Sequence, residues 1–212
     1  MLSDSLPRRR LLLLLATVPA TAWLVPRTVR HALAAPDAEA ARQMVNDVGA
    51  QVIAILSDQS LSDQDKFDRL VALLDGPIDL DLVGRLILGR HWRTASPEQR
   101  KEFLALFRAY VLDNLASRLH LYRGQDFEIV SAKPVGKRDI LVYTKIASAG
   151  EAPLAVDWRI RELKDGRLVA IDMIVEGVSL VVSQRSEFAS VIERQGFDGL
   201  LAQLRQRLDQ PA

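Results

Sequence analysis

Glu176-Gly177-Val178-Ser179 joins a β-branched apolar run, Ile171 to Val175, to a segment whose polar residues return at helical spacing. A serine at such a join invites a nucleophile reading. The Gly-x-Ser-x-Gly elbow needs a second glycine, which is missing, and two histidines of unknown position do not complete a triad around Ser179. The join reads better as a corner, with Gly177 permitting the turn and Ser179 capping the helix that follows. Asp172 is the one acidic residue inside the apolar run. It could act as a general base with Tyr143 as proton donor. Pairing with Arg159 or Arg161 on a neighbouring strand requires less machinery and is the preferred reading. His91-Trp92 follows Gly89 at a helix end, where an imidazole bonds terminal carbonyls and an indole packs against the next helix. Tyr110, Tyr122 and Tyr143 read as packing residues with hydroxyl partners. Lys101, Arg108, Arg118 and Arg123 make a basic helix side, either a solvated face or a partner surface.

Composition removes further chemistry. The chain has no cysteine, which excludes disulfides, thiolate nucleophiles and cysteine metal sites. Beyond residue 34 the only histidines are His91 and His120, too few for the usual zinc triad, so no metal site and no cofactor are expected. Residues 1–34 have the three parts of an export signal: Arg8-Arg9-Arg10, an apolar run from Leu11 to Val25, and the small-residue site Ala32-Leu33-Ala34. An uncleaved anchor is the competing reading of this segment. Arg8-Arg9-Arg10-Leu11-Leu12 also fits a loose twin-arginine pattern, so the route is Sec or twin-arginine. The net charge of +1 over the 212 residues changes sign once this segment is set aside, because 23 basic residues then face 26 acidic ones. Such a balance gives no strong attraction for nucleic acid. Residues 35–212 suit one domain, and no later run is apolar for long enough to span a bilayer.

The elements that must position these residues fall into two groups. Apolar spacing and caps predict helices over 36–58, 63–75, a short one after Asp79 ending at Gly89, and one from Ser96-Pro97-Glu98-Gln99 to about Tyr122. The period then drops to two, with strands over 126–132, 139–147, 152–163 and 168–175 and turn chemistry between them. The third strand alternates: Leu154, Val156, Trp158 and Ile160 against Ala155, Asp157, Arg159 and Arg161. The fourth does not alternate in polarity: Val169, Ile171, Met173 and Val175 line one face, and Leu168, Ala170 and Ile174 fill the other with Asp172 as the exception, so burial on both faces is expected. Helices over 179–195 and 197–209 close the chain on either side of Gly196. The result is an α+β class with an antiparallel sheet of about four strands, helices before it and two after it.

Two blocks carry a family resemblance. Residues 88–100, LGRHWRTASPEQR, with Phe103, Phe107 and Tyr122-Arg123-Gly124, form the first. Residues 172–180, DMIVEGVSL, with Arg185-Ser186-Glu187-Phe188 and Gly196-Phe197-Asp198-Gly199-Leu200, form the second. In order and spacing the chain resembles the MlaC family, whose superfamily includes toluene-tolerance and hopanoid-associated HpnM proteins. Leu115 departs from a Tyr found in some members. The resemblance implies a nuclear-transport-factor-2-like fold with added helices enclosing an apolar cavity, in the periplasm. It implies no enzyme activity, and a carrier of phospholipid or hopanoid-like lipid between an outer-membrane lipoprotein complex and the lipid-binding subunit of an inner-membrane ABC transporter.

A carrier needs little besides apolar area. Each methylene removed from water is worth ~0.8 kcal/mol, so a long chain needs roughly 10 kcal/mol of shelter. The expected lining is Val142, Val156, Trp158, Ile171, Met173 and Val175 on strands, with Phe103, Phe107 and Val111 facing them from a helix. Any of these could instead be ordinary core. The rival readings are a ligand-free adaptor in an envelope complex and a cone-fold enzyme using Asp172 with Tyr143.

Overall fold

A computed structural model of the chain describes residues 37–119, 122–148, 150 and 152–209. The expected export segment and His120 lie outside these residues.

Before the sheet, four helix starts are fixed by side chains that the sequence marks. Asp37 caps α1 (Ala38–Ser57) by accepting from the N–H groups of Glu39 and Ala40. Ser62 caps α2 (Asp63–Leu74) and Ser96 caps α5 (Pro97–Ala116), each in a reciprocal box with the third helical residue. Asp79 caps α3 (Leu80–Leu88), which stops at Gly89 with φ 53°. Between α3 and α5 lies a single turn, α4 (His91–Thr94), which the periodicity does not reveal.

α5 ends six residues before the expected Tyr122. Asn114 Nδ2 donates to Tyr110 O at 2.7 Å and Ser117 Oγ to Asn114 O at 3.1 Å, so side chains take carbonyls near the last turn. The Tyr122 hydroxyl then lies 2.9 Å from Ser57 Oγ at the end of α1, tying the departing chain elsewhere.

The sheet is antiparallel in the order β1 (Asp126–Val135), β2 (Asp139–Ala147), β3 (Leu154–Glu162), β4 (Leu168–Val175) and β5 (Val178–Ser179). The two-residue β5 is additional to the four expected strands. β1 also runs three residues further than expected, through Pro134. That residue is tolerated because β1 is an edge strand with one side free of pairing.

Two bulges set the faces. In β1 Val130 has no partner in β2, and in β4 Ile171 has no partner in β3. Each bulge reverses the alternation beyond it. In β4 Leu168 and Ala170 therefore share a face with Met173 and Val175, while Val169 pairs with Arg161 and Asp172 with Arg159 on the other. This overturns the expected grouping of Val169 and Ile171 with Met173 and Val175 on one face.

Above the sheet, α6 (Leu180–Leu208) is one helix in outline, broken at Gly196, whose φ of 74° and ψ of 176° are non-helical. The two expected closing helices are its two arms. The apolar interior forms two clusters. In one, α3, α5 and α6 meet around Phe103, Phe107, Phe188, Leu200 and Leu204. In the other, Ala41 and Val45 of α1 lie on Ile140, Val142 and Ile160 of the sheet.

Candidate functional site

The cross-strand register turns the second cluster into a continuous apolar surface. Pairing places Phe127, Ile129 and Ala132 of β1 on one face with Ile140, Val142, Thr144 and Ile146 of β2. Leu154, Val156, Trp158 and Ile160 of β3 continue it, and Leu168, Ala170, Met173 and Val175 of β4 complete it. Thr144 is the polar side chain in its interior, and Glu162, paired with Leu168, stands at its margin. α1 packs along β1 and β2, and Gly49 lets it come so close that an added Cβ would stand 2.8 Å from the Phe127 ring.

Val142 and Val156 are fully buried on this face, whereas Trp158, Met173 and Val175 are half-buried. The structure thus brings five of the expected lining residues together. Ile171 is not one of them. It is buried at 2% exposure, but it is the bulged residue, and alternation from Ala170 turns it to the opposite face.

Phe103 and Phe107 do not face the strands within this cluster. They stack on one another at 5.7 Å, and Phe103 meets Phe188 and Phe197 edge-on at 5.9 and 6.3 Å. Gly84 of α3 abuts both rings, so they form the joint between three helices. Val111, further along α5, lines a narrow apolar crevice of about 40 Å³ with Val71, Leu74, Ile78, Leu112 and Leu115. Phe127, Ile146, Leu154 and Thr144 were missed from the sequence, although period-2 alternation marks all but the bulged positions.

The buried hydroxyl of Thr144 is fully engaged. Thr144 Oγ1 donates to Val156 O and accepts from Trp158 Nε1–H at 3.3 Å. Unbonded, it would be costly in an apolar wall.

The opposite face carries the buried charges of the sheet beside the buried Val169 and Ile171. Asp139 is 4% exposed and accepts from Arg161 Nε at 2.7 Å, Arg161 Nη2 at 2.8 Å and Arg159 Nε at 2.8 Å. Burial opposes its ionisation, but the hydrogen bonds and charges of Arg161 and Arg159 outweigh burial and hold its carboxyl below the ordinary range. Asp157 moves the other way. Burial raises it, a backbone hydrogen bond at Thr144 opposes this, and the charge of Glu176 adds to the rise.

Arg159 and Arg161 are therefore committed to Asp139, and Asp172 has a different task from the one expected. Ser179 Oγ donates to Asp172 Oδ2 at 2.5 Å, Val181 N–H donates to Asp172 Oδ1 at 3.0 Å, and Ser179 Oγ accepts from Val182 N–H at 3.0 Å. The carboxylate and the serine together cap α6. Tyr143 stands on β2, separated from Asp172 by all of β3, with Lys133 Nζ 5.8 Å from its ring. The two do not form an acid–base pair.

At the corner itself Glu176 and Gly177 both take positive φ, 48° and 79°. That is the backbone of a two-residue hairpin turn between β4 and β5. Glu176 Oε1 accepts from Ala155 N–H at 2.6 Å, and Glu176 N–H donates to Ala155 O at 3.0 Å, clipping the corner to β3.

His91 also departs from expectation. Its ring Nε2 accepts from Arg90 Nε–H at 3.3 Å and bonds no helix-end carbonyl. The carbonyls at this end are taken by arginines, Arg185 on Leu86 O and Arg100 on Trp92 O. Trp92 packs on the helical core as expected, with the guanidiniums of Arg85 and Arg100 at 5.7 and 5.4 Å from its ring. On the basic side of α5, Arg108 pairs with Asp75 at 2.8 Å. Tyr110 lies under Arg207.

Among the described residues, no group of three or more His, Asp or Glu side chains is placed to hold a metal ion, and no helix is long and apolar enough to cross a membrane.

Comparison with known proteins agrees with this architecture. The intermembrane phospholipid transport system binding protein MlaC of Haemophilus influenzae is 28% identical over 137 residues, 63% of this chain. The chain spans 64% of that relative's length. A solved structure of the phospholipid-binding protein of Ralstonia solanacearum, in complex with a phospholipid, superposes with a TM-score of 0.70 at 26% identity. It covers 80% of this chain and 97% of its own. A sequence model of the MlaC protein matches residues 46–206. With that match running from inside α1 nearly to the end of α6, the chain belongs to the MlaC family.

Proposed function

We propose that the protein is a soluble periplasmic lipid carrier that shelters the acyl chains of a phospholipid, or of a hopanoid-like lipid, against the apolar face of its sheet. The observation that carries the reading is that face: four strands contribute one continuous apolar surface whose interior polar side chain, Thr144, is internally bonded. Half-buried Trp158, Met173, Val175, Phe127 and Ile146 lie where a chain can replace water. Val142 and Val156 form the floor. The names of the two relatives support phospholipid as cargo, and the lipid is bound without covalent chemistry or a cofactor. In this role the protein is not an enzyme.

The partners that fit are an outer-membrane lipoprotein complex at one end of the journey and the lipid-binding subunit of an inner-membrane ABC transporter at the other. Residues 1–34 would direct export. Burial that shelters a chain also slows its release, so hand-over requires a partner that favours an opened state.

The test is purification without detergent, followed by solvent extraction and mass spectrometry. Lipid in a fixed molar ratio to protein is expected. An empty protein that also fails to take up phospholipid or hopanoid from vesicles refutes the carrier role and leaves the adaptor reading.

A further inference from the structure

The apolar face is not packed evenly. At one end Ile140, Val142 and Ile160 are fully buried beneath Ala41 and Val45 of α1. Toward the other end Phe127, Ile146, Met173 and Val175 are half-buried, and the rim residues Leu154 and Val178 are 41% and 56% exposed. Val178 pairs with Val175, so it prolongs the same face to the edge of the sheet.

Trp158 stands on the boundary between the two ends. Its cross-strand partners are Val142 on the packed side and Met173 on the open side. Its ring is not free to swing as a simple apolar side chain would be, because its N–H is held by Thr144 Oγ1 at 3.3 Å. Thr144 is itself 1% exposed and fixed to Val156 O. The one polar group in the interior of the face is thus spent on orienting one indole.

Resting on the carrier reading, we propose that Trp158 is the depth stop for an acyl chain that enters over the Leu154–Val178 rim. Thr144 is the positioning residue that holds the ring across its path. Together they set how deeply a chain enters. Four residues separate Leu154 from Trp158, about 13 Å at ~3.3 Å per residue. The disordered chains of one bilayer leaflet already occupy about 15 Å, half of a ~30 Å hydrocarbon core, and an extended chain is longer still. A chain of ordinary membrane length therefore meets the indole, backed by the packed Ile140–Ile160 row, with its remaining methylenes outside the rim, and each further methylene adds to that exposed part.

The experiment uses the full chain, stripped of lipid and reloaded with an equimolar series of phosphatidylethanolamines that differ only in saturated chain length, from lauroyl to arachidoyl. Bound lipid is extracted and the chain-length profile read by mass spectrometry. Wild type is expected to favour the shorter chains, which leave the fewest methylenes outside the rim, and to disfavour the longest. Trp158→Ala should raise their share about tenfold, the discrimination that a few methylenes in a shaped pocket typically give. Trp158→Phe should fall between the two, and it carries the test if the alanine variant does not fold. Thr144→Val keeps shape and burial but frees the indole, and should shift the profile the same way, whereas Thr144→Ser should restore it. Loading with an unchanged profile in both Trp158 variants overturns the depth stop and leaves the carrier intact. A wild-type chain that takes up none of the series overturns both.

Discussion

Asp139 is the best-placed carboxylate in the molecule, and its worth depends on pH. Its folded pKa lies below the unfolded value, so the stability it contributes is fully present above the unfolded pKa and is lost as pH falls through the folded one. Asp139→Asn should cost roughly 2–3 kcal/mol near neutrality, because two guanidiniums lose the partner that holds them. The difference from wild type should shrink below about pH 4, which melting curves across a pH series would show. Asp157 has the opposite sign. Its raised folded pKa favours the folded state at low pH and loses that contribution as pH rises, so Asp157→Asn should raise the melting temperature at neutral pH. These two aspartates cannot be told apart in the sequence, where both are acidic residues on or beside strands. Asp172 shows the same limit. Its type made it look like a base or an arginine partner, but its role comes from a corner that folds Ser179 and Val181 back onto it.

The elements were largely legible because their ends are written in side chains. Asp37, Ser62, Asp79, Ser96 and Ser179 each begin the helix their type announces. What escaped was the bulges. Nothing in a run such as Leu168-Val169-Ala170-Ile171 says which β-branched residue will be left unpaired, because the choice depends on the partner strand. One missed residue was enough to move Ile171 off the lining and to bring Leu168 and Ala170 onto it. Likewise, apolar spacing on α5 revealed a buried stripe but not whether it meets the sheet or the neighbouring helices. Gly49 is a related case. A glycine inside a helix normally invites replacement by alanine, for a gain of about 1 kcal/mol. Here the added methyl would collide with Phe127 at 2.8 Å, so Gly49→Ala should fail to stabilise and should instead displace the ring. Denaturant unfolding gives the sign. At the corner, Gly177→Ala should cost about 1–2 kcal/mol from backbone strain at φ 79° alone.

At the scale of the molecule, one helical cluster holds the frame and one sheet face holds the proposed cargo. A ligand that binds only the folded protein raises its apparent stability with concentration, by about 2.7 kcal/mol at a hundred times its dissociation constant. Reloading the stripped protein with phospholipid should therefore raise its melting temperature if the cargo lies where proposed. The same sheet has one more property. A carrier that opens a large apolar surface is at risk of joining its neighbours strand to strand. On one margin β5 is only two residues long, too short to template a partner. On the other, β1 is interrupted by the bulge at Val130 and carries Lys133 and Pro134 near its end, with no amide hydrogen at the proline to offer. Both margins are blunted, so a hand-over of the kind proposed would uncover the apolar face without offering a neighbour a strand edge to pair with.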